Sequence, residues 1–232
     1  MLVLMKKSLI TCLFVTVSLC GAFAQNVGLS FSYFIPRNGS FSTPISPFSL
    51  RGVGFDINRF LAVETGVSLY RMAGLNIIDL PFESNKSLTG PNFTVFVPVE
   101  LVLQFKGKQA QFDIKGGGFF FHGFDQRIDY GNMDRALRQY QGWDIANADL
   151  SFENNPGFGI HFGAEFTVYV TRQFGISLEC NYLNGTSKFP MIGNYSGGLL
   201  GGTNQTVDAD FPDAKIDFTG LEFSIGILFT GG

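Results

Sequence analysis

Apolar and small-or-polar residues alternate along eight stretches of this chain, most cleanly between Gly157 and Val170. Phe158, Ile160, Phe162, Ala164, Phe166, Val168 and Val170 fall on one face, and Gly159, His161, Gly163, Glu165, Thr167 and Tyr169 on the other. Successive side chains of a strand point to opposite sides, so a period of two predicts a two-faced strand. One face is apolar enough for lipid. The other carries a histidine and a carboxylate, which the core of a sandwich rarely accepts. A sheet that is apolar outside and polar inside must close on itself within a bilayer, because no backbone edge can be left unpaired there. The pattern therefore predicts an all-β fold, an eight-stranded antiparallel up-and-down transmembrane β-barrel.

The predicted strands lie near Val27–Ile35, Phe48–Ile57, Leu61–Met72, Phe93–Phe105, Gln111–His122, Gly157–Val170, Phe174–Leu183 and Phe218–Phe229. Their connections alternate without exception. Tight turns fall at Asn58–Phe60, Lys106–Ala110 and Thr171–Gln173. Long polar loops fall at Pro36–Pro47, Ala73–Asn92, Gly123–Pro156 and Asn184–Asp217, all rich in Gly, Asn, Ser and Pro. In bacterial outer-membrane barrels the short turns and both termini face the periplasm and the long loops face outside, and an even strand number suits that topology. The Gly116–Gly118 run lies inside the fifth strand and lacks the Lys-Ser/Thr of a phosphate loop. It is read as room for the neighbouring Phe119, Phe120 and Phe121 to pack, or as a bend in the wall.

The N-terminus reads as an export signal. Lys6 and Lys7 precede the apolar run Leu9–Leu19, and Ala22-Phe23-Ala24 offers small residues for cleavage before Gln25. The expected organisation is thus a signal peptide over 1–24 and one barrel domain over 25–232, with no peptidoglycan-binding domain after it. Without Lys6 and Lys7, 14 basic residues face 19 acidic ones, a net charge of about −5 that argues against nucleic acid as a partner. The 29 glycines, 27 phenylalanines and only 15% charged residues suit an aromatic lipid-facing wall better than a soluble enzyme. Cys12 and Cys20 fall in the leader, so Cys180, on an apolar face, is expected as a lone lipid-facing residue with no internal disulfide.

These features, with the terminal strand Leu221–Phe229, resemble the small outer-membrane barrels of the OmpA/OmpX type. The phenylalanine-rich wall and the Val97-Pro98-Val99-Glu100-Leu101 strand resemble the Bacteroidetes-type "outer membrane protein beta-barrel domain", whose members are often labelled PorT-like. The resemblance implies recognition of the final strand by the barrel-assembly machinery and, on the PorT-like side, an accessory role in protein secretion. Thr230-Gly231-Gly232 follows Phe229, so the last aromatic is not the last residue. The single Trp143 lies in the longest loop rather than in an interfacial girdle.

By parity, Asp56, Glu64, Glu100, Asp113, Lys115, His161, Glu165, Glu179 and Glu222 point into the lumen. At roughly 3.3 Å per residue, Glu64, Glu100, Asp113, Glu165, Glu179 and Glu222 form a belt at one height above the short turns. Six carboxylates then face one clear cation, Lys115, and cannot all stay ionised without compensation. Three readings stay open. One is a wet, hydrogen-bonded interior into which a bulge turns Arg51, Arg59, Arg71 or Arg172. Another is a narrow cation-favouring path, and the third a hard-cation site, for which no ligand motif is present.

Enzymatic activity is not expected. His161 is followed by Phe162 and Gly163, and His122 by Gly123 and Phe124, which leaves no histidine in a nucleophile-and-base arrangement. No cofactor or dedicated metal is predicted. Recognition falls to the loops. Met133–Gln141 predicts a short helix with Asp134 near its start and with Arg135 and Arg138 on one face, either as a lipid-phosphate clamp, a plug or a solvated face. Trp143 nearby is a further contact candidate, and Gly197–Gly202 with Asp208–Asp213 combines flexibility with acidity. The expected partners are outer-membrane lipids, the assembly machinery and an extracellular or envelope protein. The expected role is structural or surface-interacting, the alternatives being a small porin and a secretion accessory.

Overall fold

The computed structural model describes residues 26–37, 45–72 and 74–230. The expected leader, residues 1–24, lies outside the described residues. Thirteen strands and one helix follow in chain order among the described residues: β1 (Asn26–Pro36), β2 (Ile45–Asn58), β3 (Leu61–Met72), β4 (Asn76–Ile78), β5 (Asn92–Lys106), β6 (Ala110–Phe124), α1 (Tyr130–Gln141), β7 (Ile145–Phe152), β8 (Gly157–Tyr169), β9 (Phe174–Lys188), β10 (Met191–Gly198), β11 (Gln205–Phe211), β12 (Lys215–Asp217) and β13 (Gly220–Thr230).

Eight of these strands form the barrel in the order β1-β2-β3-β5-β6-β8-β9-β13, all antiparallel to their neighbours. β13 pairs with both β9 and β1, from Leu221 opposite Tyr182 and Ile35 outward, so no edge is left open. The eight predicted strands are these eight, with three notable shifts of boundary. β2 begins at Ile45, β9 runs on to Lys188 above the barrel, and the last strand begins at Gly220 instead of Phe218.

The alternation decides which way each side chain faces. Ile160 and Phe162 are 67% and 65% exposed on the outside, whereas His161 between them is 5% exposed. Leu29, Val99, Leu178, Phe223 and Ile225 continue the same apolar outer wall on other strands. A continuous apolar surface of this extent is unstable in water and suits lipid. Among the described residues, no helix is long and apolar enough to cross a membrane.

One strand breaks parity. Across β2 and β3 the register slips between Leu50–Val67 and Val53–Thr65. The slip is a bulge at Arg51-Gly52, where Gly52 adopts φ +69°, a left-handed conformation that glycine takes without steric cost. Arg51 thereby turns inward along with Ser49, and Asp56 stays inward beyond the bulge.

The long loops correct a sequence expectation. Read as mostly polar, the three that follow β3, β6 and β9 build an ordered cap among the described residues. β7, β10 and β11 form a three-stranded sheet in the order β11-β10-β7. β12 extends β9 and carries β4. Helix α1 starts three residues earlier than predicted because Asp129 caps it, accepting from Asn132 N at 3.0 Å, and it ends at the left-handed Gly142. Met133, Ala136 and Leu137 form its buried stripe. They join Leu75, Ile77, Leu88, Leu150, Phe189 and Met191 in an apolar core that runs without a break into the upper lumen.

Candidate functional site: the charged belt and the aromatic plug

The predicted lumen residues meet in one network. Lys115 is fully enclosed, and its Nζ lies 3.5 Å from Glu179, 3.7 Å from Glu64 and 3.8 Å from Glu100, with Glu165 in direct contact. Arg51 is the second cation, which sequence parity alone leaves outside. It pairs with Glu222 at 2.6 Å and approaches Glu100 at 3.8 Å and Glu179 at 4.0 Å. Arg59, Arg71 and Arg172 stay exposed, so among the four candidates the bulge selects Arg51.

Two cations serve this crowd because the register forces like charges together. Glu64 lies opposite Glu100, and Asp113, Glu165 and Glu179 follow one another across β6, β8 and β9. Such direct opposition is destabilising unless bridged. Amides supply further bridges: Gln111 donates to both Asp113 oxygens at 2.9 and 2.8 Å, and Asn181 donates to Glu179 at 3.0 Å and Glu222 at 2.9 Å. Asp56 sits lower, at the rim, where Lys106 pairs with it at 2.9 Å. His161 lies 3.9 Å from Glu100 at the top of the belt. Of the three open readings, this geometry bears on the first: Arg51 is the arginine that a bulge turns into the hydrogen-bonded interior. A cavity bounded by Arg51, Asp113, Glu165 and Glu179 measures about 20 Å³, room for about one water.

Above the belt the lumen turns aromatic. Phe218, between β12 and β13, is the hub: its ring lies 4.5 Å from Phe121, 4.8 Å from Phe34, 5.9 Å from Phe119 and 6.1 Å from Phe96. The segment is pinned where Phe218 N donates to Gly185 O at 2.8 Å. The rings fit because their seats lack side chains. A Cβ at Gly157 would overlap the Phe121 ring, and one at Gly159 or Gly185 would overlap Phe119. The glycines that accommodate the phenylalanines are thus mainly on β8 and β9, beside the rings on the neighbouring strands, rather than in the Gly116–Gly118 run. Three contacts tie plug to belt. Arg51 lies over Phe96 at 5.5 Å, His161 meets Phe119 edge-on at 6.2 Å, and Tyr70 donates to Glu222.

The loop candidates separate. Arg135 is exposed and donates to Asn132 Oδ1 at 3.0 Å, whereas Arg138 reaches the carbonyl of Asp144 at 3.5 Å. Trp143 packs on the cap core with its ring 5.8 Å from Tyr195. Asp134 accepts from Ala148 N at 2.8 Å, and partial burial raises its carboxyl above the ordinary aspartate range. Gly197–Gly202 and Asp208 belong to the ordered β10–β11 hairpin. His122 turns outward beside Phe124, their rings 5.1 Å apart. Parity alone leaves Arg51 outside, whereas Phe218 shares the period-two face of Glu222 and only its place at the centre of the rings went unforeseen. The one sequence signal for Arg51 was the glycine after it.

No family model matches the chain, and no curated protein matches its sequence. Among solved structures, the outer membrane protein OprG from Pseudomonas aeruginosa superposes with a TM-score of 0.56 at 11% identity, covering 90% of this chain and 96% of that one. A major outer membrane protein from Thermus thermophilus gives 0.45 at 10% identity, covering 89% and 98%. Outer Membrane Protein W of E. coli gives 0.41 at 11% identity, covering 90% and 98%. The chain has the fold of the small outer-membrane β-barrels, a closed eight-stranded antiparallel barrel that it shares with OprG.

Proposed function

We infer that this protein is a non-enzymatic integral outer-membrane barrel whose lumen is closed to solutes and whose loop-side cap is the working surface. The observation that carries the reading is Phe218 seated among Phe34, Phe96, Phe119 and Phe121, directly above the belt bound by Arg51 and Lys115. An ion would have to break a charged network and then part an aromatic stack. The apolar outer wall and the OprG-like fold support a place in the outer membrane. In this reading lipids contact the wall, and the short turns and both termini face the periplasm, as in barrels of this design. The barrel-assembly machinery acts during biogenesis, and a protein of the envelope or the exterior meets the cap.

The test is single-channel recording of the refolded protein in a planar bilayer with a salt gradient. The expected outcome is silence from protein shown to be folded. Reproducible cation-selective steps would replace this reading with the porin one, for which six lumen carboxyl groups are the specific support. Recovery in a large envelope complex would instead favour the secretion-accessory role implied by the PorT-like resemblance.

A further inference from the structure

The two outer edges of the cap sheet are treated differently. Residues of an antiparallel strand direct their backbone groups alternately to one neighbour and to the other. On β7, Ala148 and Leu150 turn away from β10, and α1 satisfies them. Asp134 accepts from Ala148 N at 2.8 Å, and Tyr130 donates to Leu150 O at 2.8 Å. The register carries the same alternation across β10 to β11, so that Gln205, Val207, Ala209 and Phe211 bond to β10. Thr206, Asp208 and Asp210 therefore point their N–H and C=O groups outward. No element among the described residues pairs with them, and all three residues are exposed.

We propose that β11 is a docking edge that accepts an extended peptide segment of a partner protein, carrying basic residues at alternate positions. A bare edge seven residues long is the template for strand addition, in which main-chain bonds give affinity and alternate side chains give selectivity. Here the selectivity is electrostatic. Asp208 and Asp210 share the exposed face, spaced two residues apart, and an added strand places its own alternate residues beside them. Lysine or arginine fits those positions, and small apolar residues fit the opposite face beside Val207 and Ala209. A second copy of the chain is a poor occupant, because β11 against β11 would set these aspartates against one another. The inference rests on the surface-interaction reading, but it is tested in detergent, where conductance plays no part.

The experiment titrates the folded protein, in an uncharged detergent, into a fluorescent blocked heptapeptide of alternating lysine and valine, and reads anisotropy. Binding is expected, weakening as salt is raised and absent for the glutamate–valine peptide. Asp208→Asn, which keeps the N–H, should weaken binding roughly threefold to fivefold. Asp208→Pro removes the outward N–H together with the carboxylate, a backbone change that edge strands tolerate, and should weaken binding tenfold or more, beyond the loss in Asp208→Asn. Heat-modifiable gel mobility checks that the variants fold. Hydrogen exchange on the unmutated protein supplies an independent reading: the Thr206, Asp208 and Asp210 amides should exchange freely alone and slow when the peptide is bound. Absence of binding, equal binding by Asp208→Pro, or protection of these amides without peptide would each overturn the proposal.

Discussion

Arg51 and Glu222 meet at 2.6 Å inside the lumen although 171 positions separate them in the chain, and the tyrosine hydroxyl of Tyr70 donates to the same carboxylate. The pair stands where the charged belt ends and the aromatic plug begins. Removing the arginine leaves Glu222 buried and short of a cation, and weakens the compensation of Glu100 and Glu179. Arg51→Met should therefore cost about 3–5 kcal/mol, the range for breaking a buried pair. Chemical unfolding in detergent measures it. Combining it with Glu222→Gln should cost less than the sum of the two single changes, because the residues act as a unit. Strict additivity would show that the pair is not coupled.

The plug gives a second prediction. Phe218→Ala empties the centre of the ring cluster and should destabilise the protein by about 3–5 kcal/mol. Combined with Phe121→Ala, it should turn a silent barrel into one with brief, cation-favouring conductance steps in a planar bilayer. Adding Glu100→Gln to that pair should lower the cation preference, since Glu100 lies within 4 Å of both Arg51 and Lys115. Unchanged selectivity would remove Glu100 from the opened path.

The outer wall can be examined at Cys180, which lines a shallow groove of about 490 Å³ with Phe31, Phe166, Leu178 and Phe223. In liposomes this thiol should resist a water-soluble maleimide yet react once the protein is unfolded in urea and SDS. Nearby, Leu178→Arg should cost about 2–4 kcal/mol in a bilayer, the penalty for a cation on the lipid face near the midplane. Rapid labelling of the folded protein would place this surface in water.

The cap has its own reporter, because Trp143 is the only tryptophan and lies against Tyr195. Its fluorescence should change at lower denaturant than the loss of barrel strand signal, since the cap opens into water and the barrel is held by lipid or detergent. Asp134→Ala should advance that change by about 0.5–1.5 kcal/mol and speed exchange of the Ala148 amide, whose acceptor it removes. Because burial raises the Asp134 carboxyl, the folded cap holds that proton to higher pH than the unfolded chain does. Its contribution is full at low pH and declines as pH rises through the window just above the ordinary aspartate range. The slope should be small, given the exposure of the group. Simultaneous loss of the fluorescence and strand signals would show cap and barrel to be one cooperative unit.

The sequence by itself determined the barrel, because the property that announces it is local. Each strand residue faces opposite to its neighbour, so Phe162 outside and His161 inside follow from alternation alone, and the turn lengths then order the strands into an even, up-and-down ring. The same logic placed Glu64, Glu100, Asp113, Lys115, Glu165, Glu179 and Glu222 in one lumen. Only the tertiary structure decided what that lumen contains. Arg51 turns inward through a bulge defined by the register of β2 on β3, which depends on the partner strand. Phe218 finds Phe34, Phe96, Phe119 and Phe121 only once the ring has closed, over glycines that other strands supply. In the loops, apolar residues such as Leu75, Met133, Leu150 and Met191 are too widely spaced to show a period, so their common core exists only when four segments meet. The open edge of β11 is likewise a fact of assembly: a strand has no free side until its neighbours are known.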